Sequence, residues 1–203
     1  MVLPESLAPA SSRGMLEVLR QTTADRHAHI DNLLGLRKPF GRAHYARTLQ
    51  GFAAFLTAWE PAMAAVLPPD LQAWFAQGRR LVLLEADLLH LGVAAPTLPV
   101  NLPALDSRAA ALGSLYVLEG SALGGQFIAA QVRRTLGLSP ERGAAYFHGA
   151  GPGTAARWRE FQVLLAAEPA DALTVDQASH AAVRTFQALI DIFEILLHER
   201  AAA

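Results

Sequence analysis

The segment from Ser107 to Leu136 sets the tightest limit on what this chain can fold into. It reads as one long helix, yet Gly113, Gly120, Gly124 and Gly125 fall inside it. A glycine in a helix interior costs about 1 kcal/mol relative to alanine. The cluster from Gly120 to Gly125 therefore gives up roughly 3 kcal/mol of helix propensity, which something must offset. Two arrangements can do so: a second helix pressed close through small residues, or a flat ligand lying against bare backbone. Glu119 is the only charge between positions 109 and 131. Together with the glycines it argues for a buried helix rather than a membrane span. A phosphate-binding loop does not fit, because no Gly-x-x-x-x-Gly-Lys-Ser/Thr pattern follows a strand.

The rest of the chain has helical patterning and helical punctuation. Patterns fit Arg13–Leu34, Arg42–Val66, Asp70–Leu91, Thr154–Ala167 and Thr174–Glu199. Pro39, Pro68-Pro69, Gly92 and Gly137 supply stops, and Thr174 or Asp176 is the expected cap of the last helix. Pro96, Pro99 and Pro103 make residues 93–106 an irregular connector. No strand pattern or internal repeat is evident. The expectation is an all-α, single-domain helical bundle over 13–203, preceded by a flexible arm over 1–12.

Composition narrows the chemistry. The 203 residues are 52% hydrophobic, enough for one sizeable core, and the formal net charge is −1. No bulk basic field exists to bind nucleic acid or anionic membrane. The absence of cysteine removes disulfides, thiolate metal ligands, iron–sulfur clusters, c-type haem attachment and cysteine nucleophiles. No basic region precedes an apolar run at the N-terminus, so a cytoplasmic protein is expected. A di-iron carboxylate bundle would need paired Glu-x-x-His motifs, and Asp87-Leu88-Leu89-His90 is only a near miss.

His27 stands out among seven histidines. At 100° per residue, Leu16, Leu19, Thr23, His27, Ile30 and Leu34 share an arc of roughly 80°. His27 thus interrupts an apolar stripe, while His29 falls on the opposite side. An imidazole there needs a hydrogen-bond partner or a metal. Asp31, one turn on, could fix its tautomer, and Arg20 could pair with an anionic group beside it. A core histidine bonded to Asp31 or to a carbonyl remains open on this helix alone.

The two segments together resemble the haem oxygenase family. Leu19-Arg20-Gln21-Thr22-Thr23-Ala24-Asp25-Arg26-His27 looks like its proximal helix. Gly120-Ser121-Ala122-Leu123-Gly124-Gly125-Gln126 looks like its distal helix. The resemblance implies haem b, as both cofactor and substrate, with His27 as axial iron ligand and Thr23 in the pocket wall. It implies Gly120 and Gly124 against the distal face beside Phe127, with a kink there letting the helix move. Asp31 takes the acidic position next to the ligand, Arg20 and Arg184 are propionate partners, and Tyr116 reaches the pocket edge. Ser121 stands where the mammalian-type pattern has an aspartate that anchors the water network. A hydroxyl can hold water but carries no charge. Glu119, about 160° away around the helix, is not an obvious substitute.

The implied activity is cleavage of haem with O₂ and external electrons to biliverdin, CO and Fe²⁺, with Gly120, Ser121 and Gly124 serving the distal side. The electron donor would be a separate ferredoxin or reductase. The wording Tyr-Val-Leu-Glu-Gly-Ser is similar to a bacterial branch that includes enzymes associated with bacterial phytochromes, which would receive the biliverdin. The alternative on the same fold is a non-catalytic haem carrier or sensor.

Overall fold

A computed structural model describes residues 14–198; the arm expected over 1–12 lies outside the described residues. The elements are α1 (Met15–Leu34), α2 (Arg42–Val66), α3 (Pro69–Gln77), α4 (Leu81–Leu91), α5 (Arg108–Leu136), α6 (Ala145–His148), a 3₁₀ turn (Gly151–Gly153), α7 (Thr154–Ala166) and α8 (Ala172–His198). Among the described residues there is no β-strand, only isolated bridges at Ser139. None of the described helices is long and apolar enough to cross a membrane.

α8 is the spine, packing against α5, α1 and α2. Its inner face is lined with small residues: Ala178, Ala181, Ala182 and Ala188 are all buried. The partner face of α5 carries Gly113, where a Cβ would lie 2.0 Å from the Ala178 carbonyl oxygen. The two backbones are therefore in contact, and only glycine fits. Polar groups caught in this layer are satisfied in series. Trp59 Nε1 donates to Ser114 Oγ (2.8 Å), Ser114 and Thr185 share a hydrogen bond of 2.7 Å, and Thr185 Oγ1 donates to the Ala181 carbonyl (2.8 Å). Gly113→Ala is expected to destabilise the fold by about 3 kcal/mol, since the collision is with backbone that no rotamer change relieves. Urea unfolding measures this directly.

Two boundaries depart from expectation. The pattern over Asp70–Leu91 forms two helices, α3 and α4, broken at Gly78-Arg79-Arg80. The cause is buried Glu60 of α2, whose carboxylate accepts the Arg80 N–H (2.7 Å), the Leu81 N–H (2.9 Å) and Arg79 Nε (2.8 Å). A carboxylate from another helix thus caps α4 and favours a new start there. At the C-terminal end, the cap of α8 is neither Thr174 nor Asp176. Asp171 accepts the Thr174 N–H (2.9 Å) and hydroxyl (2.8 Å), the geometry of a capping residue bonded three positions into its helix.

Candidate functional site

α1 and α5 both pack on α8 and border a cavity of about 520 Å³. This is ordinary for a small-molecule or cofactor site. Ile30 and Leu34 of α1, Val117 and Ile128 of α5, Phe147 of α6, and Phe186 and Leu189 of α8 give it apolar walls.

His27 lines this cavity. Its stripe neighbours Leu19, Thr23, Ile30 and Leu34 are buried in protein, but the His27 side chain keeps 56% of its exposure. The imidazole is open to the cavity. Its ring lies 5.8 Å from that of Phe186. The tautomer-fixing bond expected from Asp31 is not formed: Asp31 Oδ1 is 3.9 Å from His27 Nε2, and the carboxylate instead takes the Arg37 guanidinium at 3.0 Å. Gly35, in the left-handed conformation at φ 60°, turns the chain so that Arg37 reaches back. Thr23 donates to the Leu19 carbonyl (2.7 Å) and does not line the cavity.

The glycines of α5 divide between the two roles left open by the sequence. Gly113 packs on α8, and a Cβ at Gly125 would meet the Phe147 carbonyl at 3.1 Å. Gly120 and Gly124 line the cavity, and so does Gly125. A Cβ at Gly124 would have nothing within 4 Å, and one at Gly120 only the Trp158 ring edge at 3.7 Å. The helix runs continuously through all four. Gly124→Ala is expected to stabilise the ligand-free protein by about 1 kcal/mol through helix propensity while weakening binding of a flat ligand, so thermal melts and titrations should move in opposite directions.

The cavity also gathers Asp31, Ser121 and Phe127, the last 57% exposed at the mouth. It does not gather Arg20, Tyr116 or Arg184. Arg20 is exposed on α1, Arg184 is half-buried on α8, and Tyr116 packs against Trp158 at 6.2 Å between ring centroids. Arg20 shares a helix face with His27 but lies two turns before it, Tyr116 lies one turn before Gly120, and Arg184 lies on a different face of α8 from Phe186 and Leu189.

One group was missed. Glu119 is buried and lines the cavity. Its carboxylate accepts Arg157 Nε (3.0 Å) and Nη2 (3.1 Å) and pairs with Arg80 Nη2 (3.2 Å). Arg157 also lies 3.8 Å over the Trp74 ring and crosses Gly78, where a Cβ would fall 1.9 Å from its Nη2. Arg80 Nη1 and Ser121 Oγ both donate to the Leu118 carbonyl, each at 2.8 Å. Ser121 and Glu119, on opposite sides of Gly120, are thereby joined through Arg80. The lone charge in the apolar run was the available signal, since a buried carboxylate implies a cation. The partners, 39 residues before it and 38 after it, carried no mark.

The α6 wall is held by buried Asp87, whose two oxygens accept the Ala145 and Tyr146 N–H groups, each at 2.8 Å. Burial raises the Asp87 pKa, opposed by these two bonds and by nearby His90. A carboxyl that holds its proton more tightly folded than unfolded contributes stability at low pH. That contribution is lost as pH rises from the unfolded value through the raised folded one. The stability of wild type relative to Asp87→Asn should therefore decline from acid toward neutral pH in denaturant titrations.

A family profile described as "Heme oxygenase" matches residues 101–195. The chain is 35% identical to a heme oxygenase of Xanthomonas campestris over 148 residues, covering 70% of this chain and 87% of that protein. It is 30% identical to heme oxygenase PigA of Pseudomonas aeruginosa over 165 residues, covering 79% and 83%. In fold it is similar to the NO- and CO-bound heme oxygenase from Neisseria meningitidis (TM-score 0.75, 23% identity, 94% of this chain and 96% of that one). The heme oxygenase from Leptospira interrogans is similar too (TM-score 0.68, 17% identity, 90% and 99%).

Proposed function

The chain belongs to the haem oxygenase family, and from that premise we propose that the α1–α5 cavity holds haem with its iron on His27 and its opposite face toward Gly120 and Gly124. The activity is that of the family, the cleavage of haem to biliverdin. One observation carries the placement: a solvent-accessible imidazole and a stretch of helix without side chains border the same apolar cavity.

Haem supplies the iron and is also the molecule consumed; the protein supplies orientation and hydrogen bonds. His27 would hold the iron through an imidazole nitrogen. Gly124 lets backbone approach the other face where any side chain would intrude. The Ser121 hydroxyl donates a hydrogen bond to the Leu118 carbonyl, so toward the cavity it offers lone pairs. It can accept a hydrogen bond from water there. The charge lacking at Ser121 is available two residues earlier, in the Glu119 carboxylate, with Arg80 as the link. We assign to this trio the task of ordering water and moving protons on the distal side. Ile128, Phe147 and Leu189 keep bulk water from the walls. With Arg20 and Arg184 off the cavity, the nearer propionate partners are Arg37 and Arg79, both on its lining.

The resident pigment is haem b, electrons come from a separate ferredoxin or reductase, and a bacterial phytochrome is a fitting recipient of the biliverdin. Hemin mixed with the protein, then ascorbate under air, should yield biliverdin on chromatography. Haem retained with an intact ring would point to a carrier and sink the catalytic reading.

A further inference from the structure

We propose that Gln126 is a positioning residue: it ties the glycine stretch of α5 to the α6–α7 loop and so sets how closely that stretch stands over the bound substrate. The inference rests on the haem-cleaving reading of the cavity.

Of the side chains from 120 to 127, only those of Ser121 and Gln126 can hydrogen-bond. Ser121 bonds within its own helix, to the Leu118 carbonyl. Gln126 reaches another element. Its Nε2 donates to the His148 carbonyl (2.6 Å) and to Thr154 Oγ1 (3.2 Å). An amide nitrogen carries two hydrogens, one for each bond. The side chain is half-buried and does not line the cavity, so it acts on a substrate there only through the backbone that carries it.

Satisfying a carbonyl at the end of α6 accounts for the His148 bond taken alone. It does not account for where the bond lies. The stretch Gly120–Gly125 is fastened by side chains just outside its two ends. At one end the Glu119 carboxylate accepts Arg157 Nε and Nη2, and at the other Gln126 holds Thr154. Both ties finish on the first turn of α7, which begins at Thr154. Between them a Cβ at Gly124 would meet nothing within 4 Å. The loop side is fixed in its turn, because Asp87 holds the Ala145 and Tyr146 N–H groups at 2.8 Å each. A helix rich in glycine bends readily, so the height of this span depends on its end ties. Phe147, Gly149 and Thr154 line the same cavity, so the Gln126 tie also sets the spacing of two of its walls. Misplacing reacting groups by about 1 Å can cost about 100-fold in rate, and loss of one tie permits a shift of that order.

The test uses Gln126→Leu, which cannot donate, and Gln126→Glu, which keeps the shape but turns an ionised carboxylate toward the His148 carbonyl. Gln50→Leu is the control. Gln50 makes an equally short bond, to the Ala94 carbonyl (2.6 Å), and does not line the cavity. Amide hydrogen exchange over residues 120–127 is measured in the hemin-free proteins. The infrared C–O stretch of carbon monoxide is measured on the reduced hemin complexes. In Gln126→Leu, exchange should quicken about fivefold and the C–O band should shift or broaden. Pigment formation under ascorbate should slow about tenfold or more. Gln126→Glu should follow it, and decides the question if Gln126→Leu fails to fold. Gln50→Leu should match wild type in all three measurements. Exchange or a C–O band equal to that of wild type would overturn the proposal. So would a band that shifts as far in Gln50→Leu, since lost stability rather than lost position would then be the cause. A shifted band with no biliverdin from wild type would uphold the tie and refute the catalytic reading. Hemin binding by none of the proteins would refute the haem reading, and the exchange comparison would then decide the tie.

Discussion

His27→Ala should abolish the histidine-ligated Soret band of the hemin complex and reduce ring opening to background, while leaving unfolding free energy within about 0.5 kcal/mol of wild type. The two halves have one cause. The imidazole is more than half exposed, 3.9 Å from the Asp31 carboxylate, and makes no hydrogen bond among the described residues, so truncation removes little that holds the fold. What it removes is the one histidine on the cavity lining among the described residues. Added imidazole should enter the vacated space and partly restore the band. His29→Ala, which loses only a contact with Glu194 at 3.5 Å, should leave the spectrum unchanged. A wild-type band from His27→Ala would mean that another residue holds the iron.

Glu119→Ala should act in the opposite way, on the fold as much as on the chemistry. Arg80 and Arg157 are 13% and 14% exposed, and this substitution leaves two guanidiniums largely buried without their shared counter-charge. Breaking such a group from one side costs about 3–5 kcal/mol. The lower figure is the better expectation, because Arg157 keeps the Trp74 carbonyl and ring while Arg80 keeps the Leu118 carbonyl. Glu119→Gln retains acceptor oxygen and shape and should recover part of the stability. If the carboxylate also orders distal water, Glu119→Gln should bind hemin normally yet form biliverdin at least tenfold more slowly, about 1.4 kcal/mol in the barrier. Urea titration and single-turnover absorbance separate the two effects. Full-rate turnover by Glu119→Gln would remove that carboxylate from the proton route.

The helical plan was readable in the chain because apolar spacing, prolines and glycine stops agree along its length. The α2 limits coincide with the expected Arg42–Val66. The break between α3 and α4 was not readable, because its cause, Glu60, acts from another helix through space. The glycine cluster showed that something must approach the backbone, but its periodicity could not say what. Close approach by Ala178 at Gly113 and open space at Gly124 look alike in one dimension. Helical phase put His27 on the face that borders the cavity but suggested a buried ring, since phase does not register an open space beside the stripe. Glu119 was visible as an isolated charge and was set aside because it points away from Ser121; Arg80 joins the two only in the folded chain.

The most direct measurement is a crystal structure of the hemin complex. The account predicts iron bonded to a ring nitrogen of His27, with the far face of the porphyrin against the backbone at Gly120 and Gly124 and no side chain between. Iron ligated by another histidine, or hemin bound outside the α1–α5 space, would contradict it.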